Sequence, residues 1–414
     1  MNTMLLKYGS AVVCLDATHK TSDYALPLFL LVVKTPSGYA AAGTFIVQFE
    51  TSFCIAEALN IFKQWGNNFS PQYWMVDYSN AEISAIRQVF VNSRVTICDF
   101  HRIQAWQRWL RRKENNISHP EHALQLMKRL GSALNEGEFE KALKDLVSSE
   151  YWNNEKFRSY FETVWLGVKE LWVMFHRLEF DVVLTTNNGI EAQNRVLKAH
   201  YVKSASGKRS LTSLIAAVVC GYLPDNEKKF HESTMRQSSL YRQYKDAVPA
   251  FLHNRPHSFI RHMLRRLVNA EEYTRSDIRE LPTEGAFAVQ SERDDDEAHT
   301  VEFCKPLCTC PDFAKHKYPC KHFCAVFKHI SGWSFASLPD SYRNRPEITL
   351  GSCPPSDTSS DVLDLVELPV FEAPQQALHS EREALGNPAA SVLRKAIAEE
   401  WEKCSSLLHY CHGR

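Results

Sequence analysis

The sequence lacks an excess of either charge sign. Its 414 residues include 48 basic and 48 acidic side chains, which cancel. A nucleic-acid-binding chain usually carries a basic excess, so the whole-chain charge gives no support to such a function. Any surface that binds a polyanion must therefore be local. Hydrophobic residues make up 44% of the chain and charged residues 23%, which is typical of a folded globular protein.

Long hydrophobic runs are also absent. The most apolar stretch, residues 26–33, contains Pro27 and is much shorter than the roughly 20 residues that a membrane helix needs. The first ten residues contain one lysine and no cleavage site, so we expect neither secretion nor a membrane partner. The twelve cysteines form no disulfide framework, because five of them fall between Cys304 and Cys324. This clustering indicates metal binding in a reducing, intracellular compartment.

The first third of the chain alternates strand-like and helix-like segments. The predicted strands are 11–15, 26–33, 40–49, 73–76 and 94–98. A turn at 36–38 predicts a hairpin, and helices are expected over 55–65 and after Asn80, which we interpret as a helix cap. Three adjacent strands followed by alternation predict an α/β fold, with a mixed sheet and helices on its faces.

The rest of the chain divides by periodicity and composition. Apolar residues recur with helical spacing over about 102–184, as a large insertion within a first domain at 1–200, and again over 201–282 as a helical connector. The cysteine cluster lies in a small module at 283–335 that we expect to be ββα-like. A Pro-, Ser- and acid-rich segment at 336–391 predicts a flexible linker, and 392–414 predicts an amphipathic helix.

Four residues have the spacing of a zinc site: Cys308 and Cys310, then nine residues, then Cys320 and His322. Two such pairs can surround one ion with the tetrahedral geometry that zinc prefers. Four protein ligands leave no open position, so we expect a structural Zn²⁺. The alternative is a cluster of buried cysteines without metal. The pattern and the following "HFCAVF" resemble the SWIM-type zinc finger.

Two aspartates each follow an apolar strand directly, namely Asp16 and Asp77, and Glu191 begins a predicted helix. Strand ends bring side chains together at one edge of a sheet, where carboxylates can hold divalent ions. The other interpretation is that the aspartates are polar strand terminators and that the glutamate is favoured by the helix dipole. Spacing alone does not select these three over Asp23, Asp99, Glu179 and Asp181.

Four sequence blocks resemble the Mutator-like (MULE) transposases. They are "CLDATHKTSDYALPLFLLV", "WMVDYSNAEISAIRQVF", "TICDFH" and "TTNNGIEAQNRVLKAHY". The resemblance implies a ribonuclease H-like DDE fold in which Asp16, Asp77 and Glu191 hold Mg²⁺ or Mn²⁺ for DNA strand cleavage and transfer. It also singles out Cys98, His101 and Asn194. For Cys98 and His101 both a metal or substrate site and a buried thiol beside a hydrogen-bonded histidine stay open.

In that family an amino-terminal DNA-binding region precedes the core, whereas here the first catalytic strand begins close to Met1. We therefore expect either that the chain is a fragment or that the gene has lost the region that recognises a DNA sequence. The candidate DNA contacts are Arg102, Arg108, Arg111, Arg112 and Lys113, with Arg261, Arg265 and Arg266 as a weaker group. The same residues can also form solvated helix faces.

The leading hypothesis is a nuclear, zinc-binding transposase or transposase-derived protein that acts on DNA. The main alternative is a domesticated, non-enzymatic regulator or adaptor that binds DNA or proteins through its SWIM finger and its C-terminal tail. An acidic-apolar stretch at 360–369 is the candidate protein-docking segment of that tail. A decayed element product without a cellular role is a third possibility.

Overall fold

The computed structural model of the protein describes residues 3–66, 69–202, 210–238, 243–244, 248–291 and 298–350. The predicted linker at 336–391 lies mostly outside the described residues. The predicted helix at 392–414 and the acidic-apolar stretch at 360–369 lie wholly outside them.

A five-stranded mixed sheet organises the first part of the chain. Its strands are β1 (Val12–Thr18), β2 (Leu28–Thr35), β3 (Gly38–Ile46), β4 (Tyr73–Val76) and β5 (Arg94–Ile97). They lie in the order β3-β2-β1-β4-β5, with β1 antiparallel to β2 and parallel to β4. The predicted hairpin joins β2 to β3 through a turn at Gly38, whose φ of +129° favours glycine. The predicted mixed sheet is confirmed.

Helices fill most of the remaining described chain. They are α1 (Thr3–Tyr8), α2 (Ser52–Trp65), α3 (Asn80–Val89), α4 (Asp99–Leu110), α5 (Pro120–Ser132), α6 (Glu136–Val147), α7 (Glu155–Tyr160), α8 (Asn188–Val196), α9 (Leu211–Ala216), α10 (Leu223–Gln237), α11 (His257–Asn269), α12 (Pro311–His316), α13 (Lys321–His329) and α14 (Asp340–Arg343). Short 3₁₀ and π segments connect several of them. The cap of α3 is Ser79 and not the predicted Asn80, because the Ser79 hydroxyl accepts the hydrogen bond from the Glu82 amide.

The five-stranded sheet separates two hydrophobic cores. Side chains alternate along a strand, so β1 directs Val13 and Leu15 to one core and Val12 and Cys14 to the other. The first core includes α2, α3 and the helices between α4 and α8, whereas the second core includes α8. The same alternation determines to which face of the sheet the residues near the end of each strand point.

The region between α4 and α8 is helical, as the apolar stripes predict. Leu124, Met127 and Leu130 of α5 are all buried, and so are Phe139 and Leu146 of α6. Edge-to-face tryptophan rings link α4 to the end of this region, with ring centroids of Trp106 and Trp172 5.5 Å apart. The insertion therefore shares one core with the sheet.

The cysteine-rich part forms a second sheet. Its antiparallel strands are β6 (Ile278–Glu280), β7 (Ala286–Gln290), β8 (Ala298–Glu302) and β9 (Leu307–Cys308). Helices α12 and α13 follow it, and α11 packs against α13. This unit is larger than the predicted ββα module, because β6 comes from the predicted connector. None of the helices in the described ranges has both the length and the apolar character needed to cross a membrane.

Candidate functional site

Asp16 and Asp77 lie on the same face of the sheet, toward the same edge. Asp77 follows β4 directly, as predicted, whereas Asp16 lies within β1, because the pairing of β1 with β2 continues to Thr18. Asp16 continues the alternation of Val12 and Cys14, and Asp77 continues that of Tyr73 and Met75, all of which belong to the core shared with α8. Strands β1 and β4 are parallel neighbours in which Cys14 pairs with Met75, so this register, continued by two residues, sets Asp16 beside Asp77.

Helix α8 presents three polar side chains to these aspartates. Asn187 caps its N-terminus and donates a hydrogen bond of 2.7 Å to Asp77 Oδ1. Asn194 donates one of 2.7 Å to Asp16 Oδ2. Glu191 lies between the two asparagines in sequence, and positions four and seven residues apart share one face of a helix. One helix face therefore carries both hydrogen-bond donors and the third carboxylate.

His101 joins two of the three carboxylates. Its Nδ1 lies 2.7 Å from Asp77 Oδ1, and its Nε2 lies 3.4 Å from Glu191 Oε1. The three side chains are 27–33% exposed, so solvent reaches them. Cys98 is buried beside them, and ligand atoms of Asp77, Cys98 and His101 all lie within 4.8 Å of one another. This arrangement keeps both interpretations of the Cys98–His101 pair open.

The charged groups of this cluster change one another's pKa. Burial, followed by the neighbouring carboxylate of Asp77, raises the pKa of Asp16 to about 7. The contact with Asp77, and then that with Cys98, raises the pKa of His101 to about 10. Oxygen-rich, negatively charged sites of this kind bind hard divalent cations such as Mg²⁺ or Mn²⁺. The three carboxylates supply the oxygens that such an ion prefers, but His101 lies between two of them, and the ligand atoms that lie within 4.8 Å of one another are those of Asp77, Cys98 and His101.

Two residues in or near this cluster were missed by the sequence analysis, namely Asn187, which bonds to Asp77, and Glu82. Asn187 could have been found, since it precedes Glu191 by four residues and Asn194 by seven. Glu82 is buried in the first turn of α3, and Asp16 and Asp77 are the first charges to act on it. The apolar periodicity of α3 does not indicate that Glu82 is buried, because an acidic residue beside apolar positions is normally expected at the surface. The competing Asp99 is instead paired with Arg102 and Arg177.

The four predicted zinc ligands form one buried cluster. Cys308, Cys310, Cys320 and His322 are at most 2% exposed, and one ligand atom of each lies within 4.8 Å of the others. His322 Nδ1 is 3.5 Å from Cys308 Sγ and 3.6 Å from Cys320 Sγ. Burial, followed by the neighbouring sulfurs of Cys308 and Cys310, raises the pKa of the Cys320 thiol. A thiolate at this position would therefore need a cation beside it. Three sulfurs and one imidazole nitrogen fit tetrahedral zinc.

The spare cysteines lie outside this cluster. Cys304 is exposed and Cys324 is buried in the core of the module. His322 comes from the first turn of α13, as predicted. The amide of Phe313 donates to Cys310 Sγ at 3.4 Å, so the start of α12 orients one sulfur.

The predicted basic surface requires one correction. Arg102 is 3% exposed, pairs with Asp99 at 3.0 Å and stacks over the ring of Trp106, so it belongs to the core and is not available to a DNA backbone. The other four candidates are exposed, namely Arg108, Arg111, Arg112 and Lys113. Arg111 pairs with Glu121 at 2.7 Å, and Arg112 lies 3.9 Å from Glu114. Nearby acids therefore reduce the positive charge of this surface.

Comparison with known families gives two matches, one in each part of the chain. Residues 12–105 match the MULE transposase domain, and residues 298–331 match the SWIM zinc finger. The chain carries both domains. The predicted resemblance is confirmed, and it supports a zinc-binding, transposase-derived protein. A comparison with curated proteins found no match.

The matched ranges differ in what they cover. The SWIM match includes all four cysteine and histidine ligands. The MULE match includes Asp16, Asp77, Cys98 and His101 but ends before Glu191. The assignment of Glu191 therefore depends on its position on α8 and on the sequence block around it.

Proposed function

We propose that this protein acts on DNA through a metal-dependent DDE site formed by Asp16, Asp77 and Glu191. The observation that carries the proposal is that Asp77 and Glu191 contact the two ring nitrogens of His101, while Asp16 is close enough for the charges of all three to act on it. Carboxylates that approach one another need a cation to balance their charge, which protonated His101 supplies in the ion-free protein and a bound divalent ion would supply more strongly. The reaction class is cleavage and transfer of DNA strands, as implied by the MULE domain.

We further propose a ribonuclease H-like fold for the first domain. The support is the strand order β3-β2-β1-β4-β5, in which a three-stranded antiparallel meander continues into two parallel strands. The helical segment between α4 and α8 would be the insertion that separates the second carboxylate from the third. The division of the chain at about residues 200, 282 and 335 stays a prediction.

The protein's own residues would hold and orient the carboxylates. Asn194 fixes one oxygen of Asp16, and Asn187 fixes one oxygen of Asp77. A divalent ion bound here would activate a water or hydroxyl nucleophile and stabilise the leaving oxygen. The SWIM finger would hold a structural zinc, since all four of its ligand positions are filled by protein.

DNA is the partner that this chemistry requires, and we therefore propose the nucleus as the compartment. The exposed group Arg108, Arg111, Arg112 and Lys113 at the end of α4 is the candidate contact with the phosphate backbone. Removing one phosphate contact should make the slope of log binding constant against log salt concentration shallower by about one. Measurement of that slope for Lys113→Ala and for wild type tests this surface.

Nicking of supercoiled DNA by the zinc-saturated full chain tests the catalytic proposal. Wild type is expected to nick in Mn²⁺, and Asp77→Asn and Asp16→Asn are expected to be inactive while remaining folded. Asp145→Asn is the matched control, because Asp145 is half-exposed on α6 and lies 4.0 Å from its partner Arg129. Activity retained in Asp77→Asn would contradict the proposal.

One observation favours the non-enzymatic alternative. His101 contacts both Asp77 and Glu191, so its imidazole lies where these carboxylates would share an ion. If the protein is a binding regulator, wild type will not nick DNA in Mn²⁺ or Mg²⁺. Its binding to DNA or protein will then be unchanged by Asp77→Asn and lost when the zinc ligands are replaced.

A further inference from the structure

Glu82 is a buried acid that the proposed triad does not include. Its side chain is 2% exposed, and within the described ranges it is the one carboxylate among the buried polar residues. Carboxylates are almost never fully buried unless they are paired. The burial of Glu82 therefore requires an explanation.

The buried carboxylate of Glu82 has no protein partner at one of its oxygens. Glu82 Oε2 is inaccessible to solvent and makes no hydrogen bond to any residue that the structure describes. The buried Arg177, in contrast, donates to Ile97 O at 2.7 Å and to Asp99 at 3.2 Å. A buried polar group without a partner is unfavourable, so the partner of Glu82 is expected to be something other than protein.

The charges that face Glu82 are those of the candidate site. The groups that act on it electrostatically are Asp16, Asp77 and Glu50, and all three are acidic. Helix α3 begins three residues after Asp77, which places its first turn beside the edge of the sheet where the triad lies. Burial first, and then these carboxylates, raise the pKa of Glu82 well above its usual value.

The helix dipole does not account for this arrangement. A glutamate in the first turn of a helix is favoured by the positive end of the dipole, and the Ser79 cap shows that α3 begins normally. An exposed side chain would gain that stabilisation equally well. The dipole therefore explains an acid in this turn, but not a buried acid on which the charges of two aspartates act.

We propose that Glu82 is a fourth carboxylate of the Asp16–Asp77–Glu191 site, and that a divalent cation held there is the partner that its buried oxygen lacks. The inference depends on the proposed metal site and adds to it. A fourth carboxylate increases the negative charge available to a hard cation such as Mn²⁺. It also makes the ion-free site more strained by repulsion.

Glu82→Gln separates this role from a purely structural one, since glutamine keeps the shape of the side chain and removes its charge. Without Mn²⁺ and at neutral pH the variant is expected to unfold at a higher temperature than wild type, because folding of wild type must protonate or bury the Glu82 carboxylate, whereas glutamine does not titrate. By calorimetry with zinc saturating, its Mn²⁺ affinity is expected to fall about tenfold or more, in the range seen when groups that support a metal site are removed. Glu82→Asp should keep more of the affinity.

Two further variants of the full chain complete the experiment. Glu57→Gln is the matched control, because Glu57 is exposed on α2, and it should bind Mn²⁺ like wild type. Asp77→Asn should lose binding. If Asp77→Asn loses Mn²⁺ binding and Glu82→Gln does not, the role of Glu82 is overturned and the proposed metal site stands. If wild type binds no Mn²⁺, both the metal site and the role of Glu82 are overturned.

Discussion

Asn194 donates its side-chain amide to Asp16 Oδ2 at 2.7 Å, across 178 positions of sequence. This bond connects β1 to the second turn of α8, and it holds a carboxylate whose pKa is raised to about 7 by burial and by Asp77. The asparagine is 9% exposed, so the bond is protected from water. The bond therefore fixes the position of Asp16 relative to α8, the helix that carries Glu191.

We predict that Asn194→Ala weakens divalent-ion binding while the protein remains folded. The variant removes the donor that orients Asp16, and loss of such a supporting bond typically lowers metal affinity by about 10–100-fold. Calorimetric titration with Mn²⁺ measures the change. Asn135→Ala serves as control, since Asn135 caps α6 away from the site and should affect stability only. Equal Mn²⁺ affinity in the two variants would contradict the prediction.

The raised pKa of Asp16 predicts a specific dependence of stability on pH. Between its ordinary value of 3.8 and about 7, the folded protein holds a proton on Asp16 that the unfolded chain has lost. The contribution of Asp16 to the free energy of unfolding therefore falls as pH rises through this window. Asp16→Asn does not titrate, so its advantage over wild type should grow from about pH 4 to about pH 7 and level off above that.

Urea unfolding of both proteins at several pH values, with zinc present and without Mg²⁺ or Mn²⁺, measures this difference. Protonation of the zinc ligands affects both proteins equally and cancels. Added Mn²⁺ should reduce the loss of wild-type stability at the higher pH values. Parallel stability curves for wild type and Asp16→Asn would show that Asp16 has no raised pKa.

Removal of zinc should unfold the SWIM module. Its core contains three of the ligands, Cys308, Cys310 and Cys320, so the module cannot keep its packing when these sulfurs repel one another. Binding of zinc to such sites contributes about 10–16 kcal/mol at neutral pH. We expect Cys310→Ser to expose residues 298–331 to proteolysis. Cys304→Ser is the matched control, since Cys304 is exposed and lies outside the cluster, and it should resist protease like wild type.

Arg102 and Arg111 should respond differently to replacement by alanine. Arg102 is 3% exposed and pairs with Asp99, so removing it leaves a partly buried carboxylate with one partner fewer, and we expect a loss of about 3–5 kcal/mol in the free energy of unfolding. Arg111 and Glu121 are both exposed, so Arg111→Ala should change stability by less than about 1 kcal/mol. Urea unfolding compares them. Equal effects would place Arg102 at the surface after all.

The same pair of arginines shows where sequence patterns were insufficient. Arg102 and Arg111 belong to one run of basic residues, and nothing local distinguishes them. The two arginines differ in exposure because the insertion between α4 and α8 covers Arg102 with Trp172, whose ring centroid lies 5.2 Å from the guanidinium carbon. Gly131 of α5 also lies against it, since a Cβ there would come within 2.4 Å of Arg102 Nη1.

The sequence by itself determined the four candidate zinc ligands, the end of β4 before Asp77 and the helix that carries Glu191, whereas it ended β1 too early, before Asp16. These features depend on short spacings and on alternation within one element, which local geometry dictates. Only the tertiary structure decided that α8 adds Asn187, that His101 lies between two carboxylates and that Glu82 is buried beside the site. Those contacts join elements far apart in sequence, and they follow from how helices pack on the two faces of the sheet, which no local pattern encodes.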